Sequence, residues 1–506
     1  MSELPNPLIP GFNPDPSCVL VDDIYYLVTS SFEYLPALPV YRSTDFVAWE
    51  HIGNVATREE QVGLARTVSG AGVWAPTIRY HDGVFHVIVS VMDSPRGCVV
   101  FTADGPAGPW SDGLTIDGIV GIDPDLAWDE RGVAYVTYSA LELDLVEGTG
   151  SHGGIRQARV DLEAGKALEE PRSLWSGTGL TAPEAPHLYL RNGYWYLLIA
   201  EGGTESGHSV SVARSSTIEG PFEGAPGNPV LSASGTGRPV QCTGHADLVR
   251  GPHGADLLVL LGTRRALAAT PLGRETYVTG VEWIDGWPQP APVDLDPHPE
   301  PLHEHFAFAE GTGLADPGWL SVGRMPTEVA SVEERLGHLT IRAASGGIDA
   351  FRPDFVGRRQ RHLKSVFETG IDPSDGRGGL GLRFDEDFTV ALIAERAPGG
   401  RGTRVTARAC LPALTQTWSA EVAGDRVGLR LVTDVPLNGK ALSKSGDLIR
   451  LIVVEECGAE TQLAALDGRF WSAETAAPFT GRVTGMFAEE GAVHFTEFRY
   501  HGEGRS

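Results

Sequence analysis

Over its first 300 residues the chain repeats one rhythm of polar and apolar positions five times. Asp22-Asp23 precede IYYLVTSS, His81-Asp82-Gly83 precede VFHVIVS, and Glu130-Arg131-Gly132 precede VAYVTYS. Arg191-Asn192-Gly193 precede YWYLLIA, and Pro252-His253-Gly254 precede ADLLVLLG. Each instance reads as a turn that feeds a strongly β-prone strand. A short strand leads into every turn (SCVLV, TIRY, DLAW, HLYL and DLVR). Outer strands follow, among them VYRSTDFVAWEHIG from Val40, VVFTADGPAGPW from Val99 and VSVARSSTIEGPF from Val210. Copies stand roughly 50–60 residues apart, the spacing of a repeat that builds one propeller blade. Four strands in each of five units predict an all-β fold, a five-bladed β-propeller over residues 1–300. A generic all-β sandwich is the rival reading of the same strands.

The rhythm stops near Pro288–Glu304, a Pro- and Asp-rich stretch that reads as a linker. Beyond it the alternating segments HLTIRA, VFETGI, FTVALIAE, TRVTARAC, VGLRLVTD, LIRLIVVEE and FTEFRY predict half-buried strands. They point to a second domain, a β-sandwich over residues 301–506.

Composition narrows the partners. Lys and Arg number 40 against 66 Asp and Glu, a formal net charge of −26. Nucleic acid and anionic membrane both demand basic patches, so neither is expected, whereas a neutral polar substrate fits. The 5 cysteines (Cys18, Cys98, Cys242, Cys410, Cys457) are odd in number, widely spaced and without a CxxC pair. That pattern predicts buried reduced thiols, not a disulfide framework or a zinc site. The opening MSELPNP has no basic and apolar signal-like regions, and no apolar run of about 18 residues occurs. A cytoplasmic location is the expectation.

The chemistry lies just ahead of the first strand of each repeat. There stand Asp15 in NPDPS, Trp74 in WAPT, Asp123 in IDPD, Glu184 in PEAPH and His245 in GHAD. Innermost propeller strands surround the axis, so these five positions are predicted to converge at one mouth of the central channel. Hydrolysis of a glycosidic bond needs such a set: one carboxylic acid to protonate the leaving oxygen, and one carboxylate to activate water or attack directly. A third carboxylate can keep the acid protonated near neutral pH. An aromatic plane can pack on the apolar face of a sugar. Taken singly, an Asp before Pro is ordinarily a turn residue and a Trp ordinarily core. Turn duty does not explain three acids, an indole and an imidazole at one repeat phase.

The ordered set NPDPS, WAPT-R-Y-HDG, GIDPDL, PE-PHLY-NGYWYLLIAEGGT, GHADLV and LGRET resembles glycoside hydrolase family 43, especially its β-xylosidase and α-L-arabinofuranosidase members. The C-terminal half, with Arg358-Arg359-Gln360 and the closing Phe498-Arg499-Tyr500, is similar to the concanavalin-like sandwich attached to many of them. The resemblance implies Asp15 as general base, Glu184 as general acid and Asp123 as the carboxylate that raises and orients the acid. It implies Arg274 as a substrate-contacting arginine, Phe32 and Trp74 as walls of the sugar pocket, and Phe479 as a sandwich aromatic closing that pocket. It implies no required cofactor. In relatives a water-ligated cation, often calcium, occupies the channel, which would place one beside His245. Plainer readings stand next to these: Arg274 pairing with a nearby acid, His245 as a hydrogen-bonded core histidine, Phe479 as sandwich core. Two departures bear on specificity: Ala185 follows the acid where Gly is common, and Asp125 stands where Ser is common. Strand alternation puts Asp125 on the same side as Asp123, where a further acid could perturb Glu184.

The expected reaction is exo-acting, inverting release of terminal xylose or arabinose from xylan- or arabinan-type oligosaccharides. Inversion requires the Asp15 and Glu184 carboxyls to stand about 6.5–9.5 Å apart, leaving room for water. A sandwich covering one side of the mouth would favour short substrates. The alternatives are a retaining fructosidase-like propeller, a carbohydrate-binding propeller without turnover and a protein-interaction propeller. A homo-oligomer is compatible with every reading.

Overall fold

The computed structural model describes residues 4–144, 149–296, 300–310, 313–436, 445–476 and 479–504. It divides into two compact units: residues 1–33, 37–263 and 275–296 in the first, and residues 34–36, 264–274 and 297–506 in the second. Among the described residues α-helix is confined to two single turns, Glu59–Val62 and Pro326–Val329.

The first unit is a five-bladed propeller. Its blades are successive antiparallel sheets whose innermost strands are Ser17–Val21, Gly72–His81, Ile122–Trp128, Glu184–Arg191 and Val240–Arg250. Each innermost strand neighbours the next, and the fifth neighbours the first, so the ring closes. Closure is reinforced by the N-terminal segment, which joins the third strand of blade five. Asn6 Nδ2 donates to the Val278 carbonyl at 2.8 Å, the Val278 N–H returns a bond to Asn6 Oδ1 at 2.9 Å, and the Leu8 N–H donates to the Thr276 carbonyl at 2.7 Å.

The near-continuous apolar runs follow from this arrangement. In YWYLLIA, Trp195, Leu197 and Ile199 pack with Ala127 and Tyr135 of blade three. Tyr196 and Leu198, the alternate residues, pack with Leu258, Leu260 and Tyr277 of blade five. Successive residues point to opposite faces of a strand. Both faces are covered by a neighbouring blade, so both must be apolar.

The second unit is an all-β sandwich. Two long strands, Ser365–Arg383 and Val483–Gly502, pair along their length, and the remaining strands build outward from them. The alternating segments behave as their pattern predicts: SVFETGI alternates between buried and half-buried positions. Phe367, Ile371, Leu429, Leu431 and Phe498 share one core. Tyr34–Leu35 and Ser321–Val322 form a small two-stranded ladder in this unit. None of the five cysteines is joined in a disulfide. Cys18, Cys98 and Cys410 are buried as expected, but Cys242 is half-buried and Cys457 is exposed. Cys457 lies in the hairpin turn between Leu448–Val454 and Glu460–Asp467, which faces water.

Candidate active site

The axial ends of the inner strands share an uncommon backbone. Asp15, Asp123, Ala185 and His245 all adopt left-handed φ values, 57°, 53°, 52° and 48°. Asp and His tolerate this region better than most residues; Ala does not, and such conformations persist where the surrounding fold imposes them. Strand register fixes the equivalence. In blade three Ile122 faces Ser139 and Asp125 faces Thr137, with a bulge between. In blade four Glu184 faces Ala200 and His187 faces Leu198, with the same bulge. Asp123 therefore corresponds to Ala185. The expectation of one shared phase for all three acids needs correction: Glu184 stands one residue earlier on its strand than Asp123 does, because Ala185 takes the bulge position.

That offset brings the two acids' chains together. The Ala185 N–H, on the peptide that begins at Glu184, donates to Asp123 Oδ2 at 3.1 Å. The blade-three carboxylate is thus bonded to the backbone that carries Glu184. The Nδ1 of His208, a fully buried residue, lies 3.9 Å from Glu184 Oε1. Room for this imidazole comes from Gly244, where a Cβ would stand 2.1 Å from the ring. Asp15 is fixed on two sides. The Ser30 hydroxyl donates to its Oδ2 at 2.5 Å, and His245 Nδ1 lies 3.6 Å from its Oδ1. The Glu184 side chain keeps 14% exposure against 5% for Asp15. The Glu184 carboxyl is thus the more accessible of the two.

An aromatic wall stands in the same unit. Phe32 and Trp74 pack at 6.5 Å between ring centroids, and Phe12 extends the series at 5.8 Å from Phe32. The Phe32 and Val73 peptides exchange hydrogen bonds of 2.9 and 3.0 Å. Only glycine fits at position 72, since a Cβ there would lie 2.4 Å from the Phe32 carbonyl oxygen. Trp74 Nε1 donates to the Gly70 carbonyl at 3.1 Å, which fixes the indole plane.

Behind the carboxylates lies a polar cluster whose two acids, Asp125 and Asp247, are fully buried. Asp125 is 0% exposed; its Oδ1 pairs with Arg79 Nη2 at 2.8 Å and its Oδ2 accepts the Leu188 N–H at 2.8 Å. Its charge is neutralised by a guanidinium, so it does not act as a free acid beside Glu184. Arg79 also reaches Asp247 Oδ2 at 3.2 Å and His187 Nδ1 at 3.1 Å. Burial works against charge on Arg79, but Asp125 and Asp247 outweigh it and hold the guanidinium protonated. Burial likewise opposes ionisation of Asp247. Arg79, His187 and the Ser17 and Tyr189 hydroxyls overcome it and bring the pKa down to about 2.

Arg274 and Phe479 fall in the second unit, together. Arg274 Nη2 donates to the Phe479 carbonyl at 3.2 Å, and its guanidinium carbon lies 5.6 Å from the centre of the Phe479 ring. A Cβ on Gly273 would lie 2.4 Å from the Thr480 carbonyl, so glycine permits this close approach. Among the described residues no three His, Cys, Asp or Glu side chains form a metal-ligating group. Among the described residues no helix is long and apolar enough to cross a membrane.

Ser30, His208, Phe12 and Arg79 carry contacts that sequence reasoning passed over. Ser30 had a signal: Thr29, Ser30 and Ser31 are three consecutive polar residues ending an apolar strand, and all are 0% exposed. Arg79 lies within the WAPT-R-Y-HDG motif, where spacing alone gives it no partner.

Comparison with known proteins identifies relatives of both units. Residues 4–288 match the model of glycosyl hydrolases family 43, and residues 307–501 match the beta xylosidase C-terminal concanavalin A-like domain. A xylosidase/arabinosidase of Butyrivibrio fibrisolvens is 36% identical over 70% of this chain and 72% of its own. A non-reducing end alpha-L-arabinofuranosidase of Bacteroides ovatus is 36% identical over 78% of this chain and 76% of its own. Among solved structures, the xylan beta-1,4-xylosidase of Bacillus halodurans superposes with a TM-score of 0.87 at 27% identity, covering 98% of this chain and 100% of that one. With its catalytic fold, its appended sandwich and these relatives in agreement, the chain belongs to glycosyl hydrolases family 43.

Proposed function

We propose that this glycoside hydrolase removes terminal xylose or arabinose from plant-type oligosaccharides by single displacement with inversion. The observation that carries the reading is the axial arrangement of blades one, three and four, with Asp123 bonded to the peptide that bears Glu184. Asp15 accepts a proton from water as its oxygen attacks the anomeric carbon. Ser30 holds one oxygen of that base, and His245 faces the other. Glu184 delivers its proton to the departing glycosidic oxygen. Asp123 opposes early loss of that proton by like charge. Phe32 and Trp74 supply apolar surface for the sugar ring.

Action on chain ends is supported by the Bacteroides ovatus relative, named for the non-reducing end, and the two pentoses by relatives named for both. Five cysteines without a disulfide, three of them buried, support a reducing, cytoplasmic setting. The chemistry needs no cofactor, so chelation is expected to leave turnover unchanged. The deciding experiment is side-by-side turnover of nitrophenyl β-D-xylopyranoside and nitrophenyl α-L-arabinofuranoside, with proton NMR of the first-formed sugar. Release of the inverted anomer is expected. The retained anomer would sink the mechanism, and failure to turn over either substrate would sink the substrate class.

A further inference from the structure

The polar cluster on the propeller axis has a regularity that the catalytic steps do not use. Two contacts hold the catalytic tier between blades: Asp123 with the Ala185 N–H, and His245 with Asp15. Each has a counterpart two or three residues further along the same strands. Asp125 accepts the Leu188 N–H, repeating the blade three to blade four link. Asp247 accepts from the Ser17 hydroxyl at 2.6 Å and the Cys18 N–H at 3.0 Å, repeating the blade five to blade one link. The Ile78 N–H of blade two donates to Ser17 Oγ at 3.0 Å. One guanidinium, that of Arg79 from blade two, reaches both lower-tier carboxylates and His187 of blade four. All five blades therefore meet around it.

We propose that Arg79 is a positioning residue for hydrolysis: by clamping Asp125 and Asp247 it fixes the register of the inner strands and so the placement of Asp123 beside the Glu184 peptide and of His245 beside Asp15. Asp125 and Asp247 are both fully buried. Without their shared cation, each keeps its other donors but lies uncompensated, and relief comes through rotation or protonation of the strand-borne carboxylate. Asp123 is two residues away on the same strand as Asp125, so a small rotation there is transmitted to its bond with Ala185. A displacement of the order of 1 Å at a reacting group costs about 100-fold in rate. A flexible ammonium supplies the charge without the planar fork that spans two carboxylates.

The inference rests on the roles proposed for Asp15, Asp123 and Glu184, and its test has one arm independent of turnover. Arg79→Met and Arg79→Lys are compared with the wild type at a temperature well below the unfolding midpoint of each. For Met we expect kcat to fall about 100-fold with KM within a few-fold, the alkaline limb of the pH profile to move to lower pH, and Lys to recover part of the loss. In a crystal structure of Arg79→Met, the Asp123 to Ala185 N separation of 3.1 Å is expected to open beyond hydrogen-bond reach. Retention of that bond would overturn the proposal whatever the activity. So would unchanged kcat and pH profile in folded Met variant. Failure of both variants to fold would assign Arg79 to folding alone and overturn it too. Absence of turnover by the wild type would instead sink the substrate reading, leaving the crystallographic arm to decide this one.

Discussion

Asp123 Oδ2 accepts the backbone N–H of Ala185, so a carboxylate of one blade is bonded to the peptide that bears Glu184 of the next. Placement of Asp123 relative to Glu184 is thereby set by backbone, not by two side chains finding each other. Asp123→Asn keeps an acceptor oxygen and loses the charge. We expect a fall in kcat/KM of about 100-fold or more, with little change in Tm. Without the like charge, Glu184 ionises more readily, so the alkaline limb of kcat/KM moves to lower pH. A pH–rate profile whose alkaline limb stays in place would remove Asp123 from this role.

Leaving-group dependence separates the other two acids. Glu184→Ala should cost about 1,000-fold on xylobiose and far less on a dinitrophenyl glycoside, whose leaving group departs without a proton. Asp15→Ala should cost similar factors on both, because water needs activating in each case. Steady-state kinetics on the substrate pair checks this; equal losses in the Glu184 variant would reject it as the acid.

Gly72→Ala tests the aromatic wall. Its Cβ would press to 2.4 Å from the Phe32 carbonyl at a φ of 91°, and backbone on both sides leaves little to give way. A loss of about 2–4 kcal/mol in stability is expected from the clash and strain together. Displacement of Phe32 should raise KM more than it lowers kcat. Denaturant unfolding and Michaelis–Menten kinetics read the two effects separately.

The sandwich should carry its own pH sensitivity through His362. Burial pushes its pKa down from 6.5 to about 4, outweighing its contact with the Glu300 carbonyl. The neutral ring is held by Tyr500, whose hydroxyl lies 2.8 Å from Nδ1. Because the folded value lies below the unfolded one, the native state binds fewer protons. This stability is fully present above pH 6.5 and is lost progressively toward pH 4, to a total of about 3 kcal/mol. Urea midpoints of the C-terminal unit measured across that range should fall with pH. His362→Gln should flatten the dependence while lowering the midpoint at pH 7.

The fold was legible because each repeat carries its own turn and its own apolar run, and blade packing covers both strand faces. The ring of acids was legible because Asp15 and Asp123 sit at one repeat phase. Its detail was not. Glu184 shares a proline-based phase with Trp74 but not with Asp123, and only the bulge at Ala185 reveals the one-residue offset. Asp125 read as a loose acid because its partner, Arg79, lies 46 positions away, on another blade. Strand alternation gives a side; it does not give the cross-axis partner. Phe12 and Ser30 act through contacts across turns, which periodicity does not encode.

The pairing of Asn6 with Val278 joins atoms 272 positions apart along the chain. Every other blade seam joins neighbours in sequence, but this one cannot nucleate locally and carries most of the loop-closure entropy of the ring. Refolding is therefore expected to await the last blade meeting the first residues, and a nascent chain emerging from the ribosome holds an open arc, with the blade-one face of Tyr25, Leu27 and Phe46 uncovered, until blade five is made.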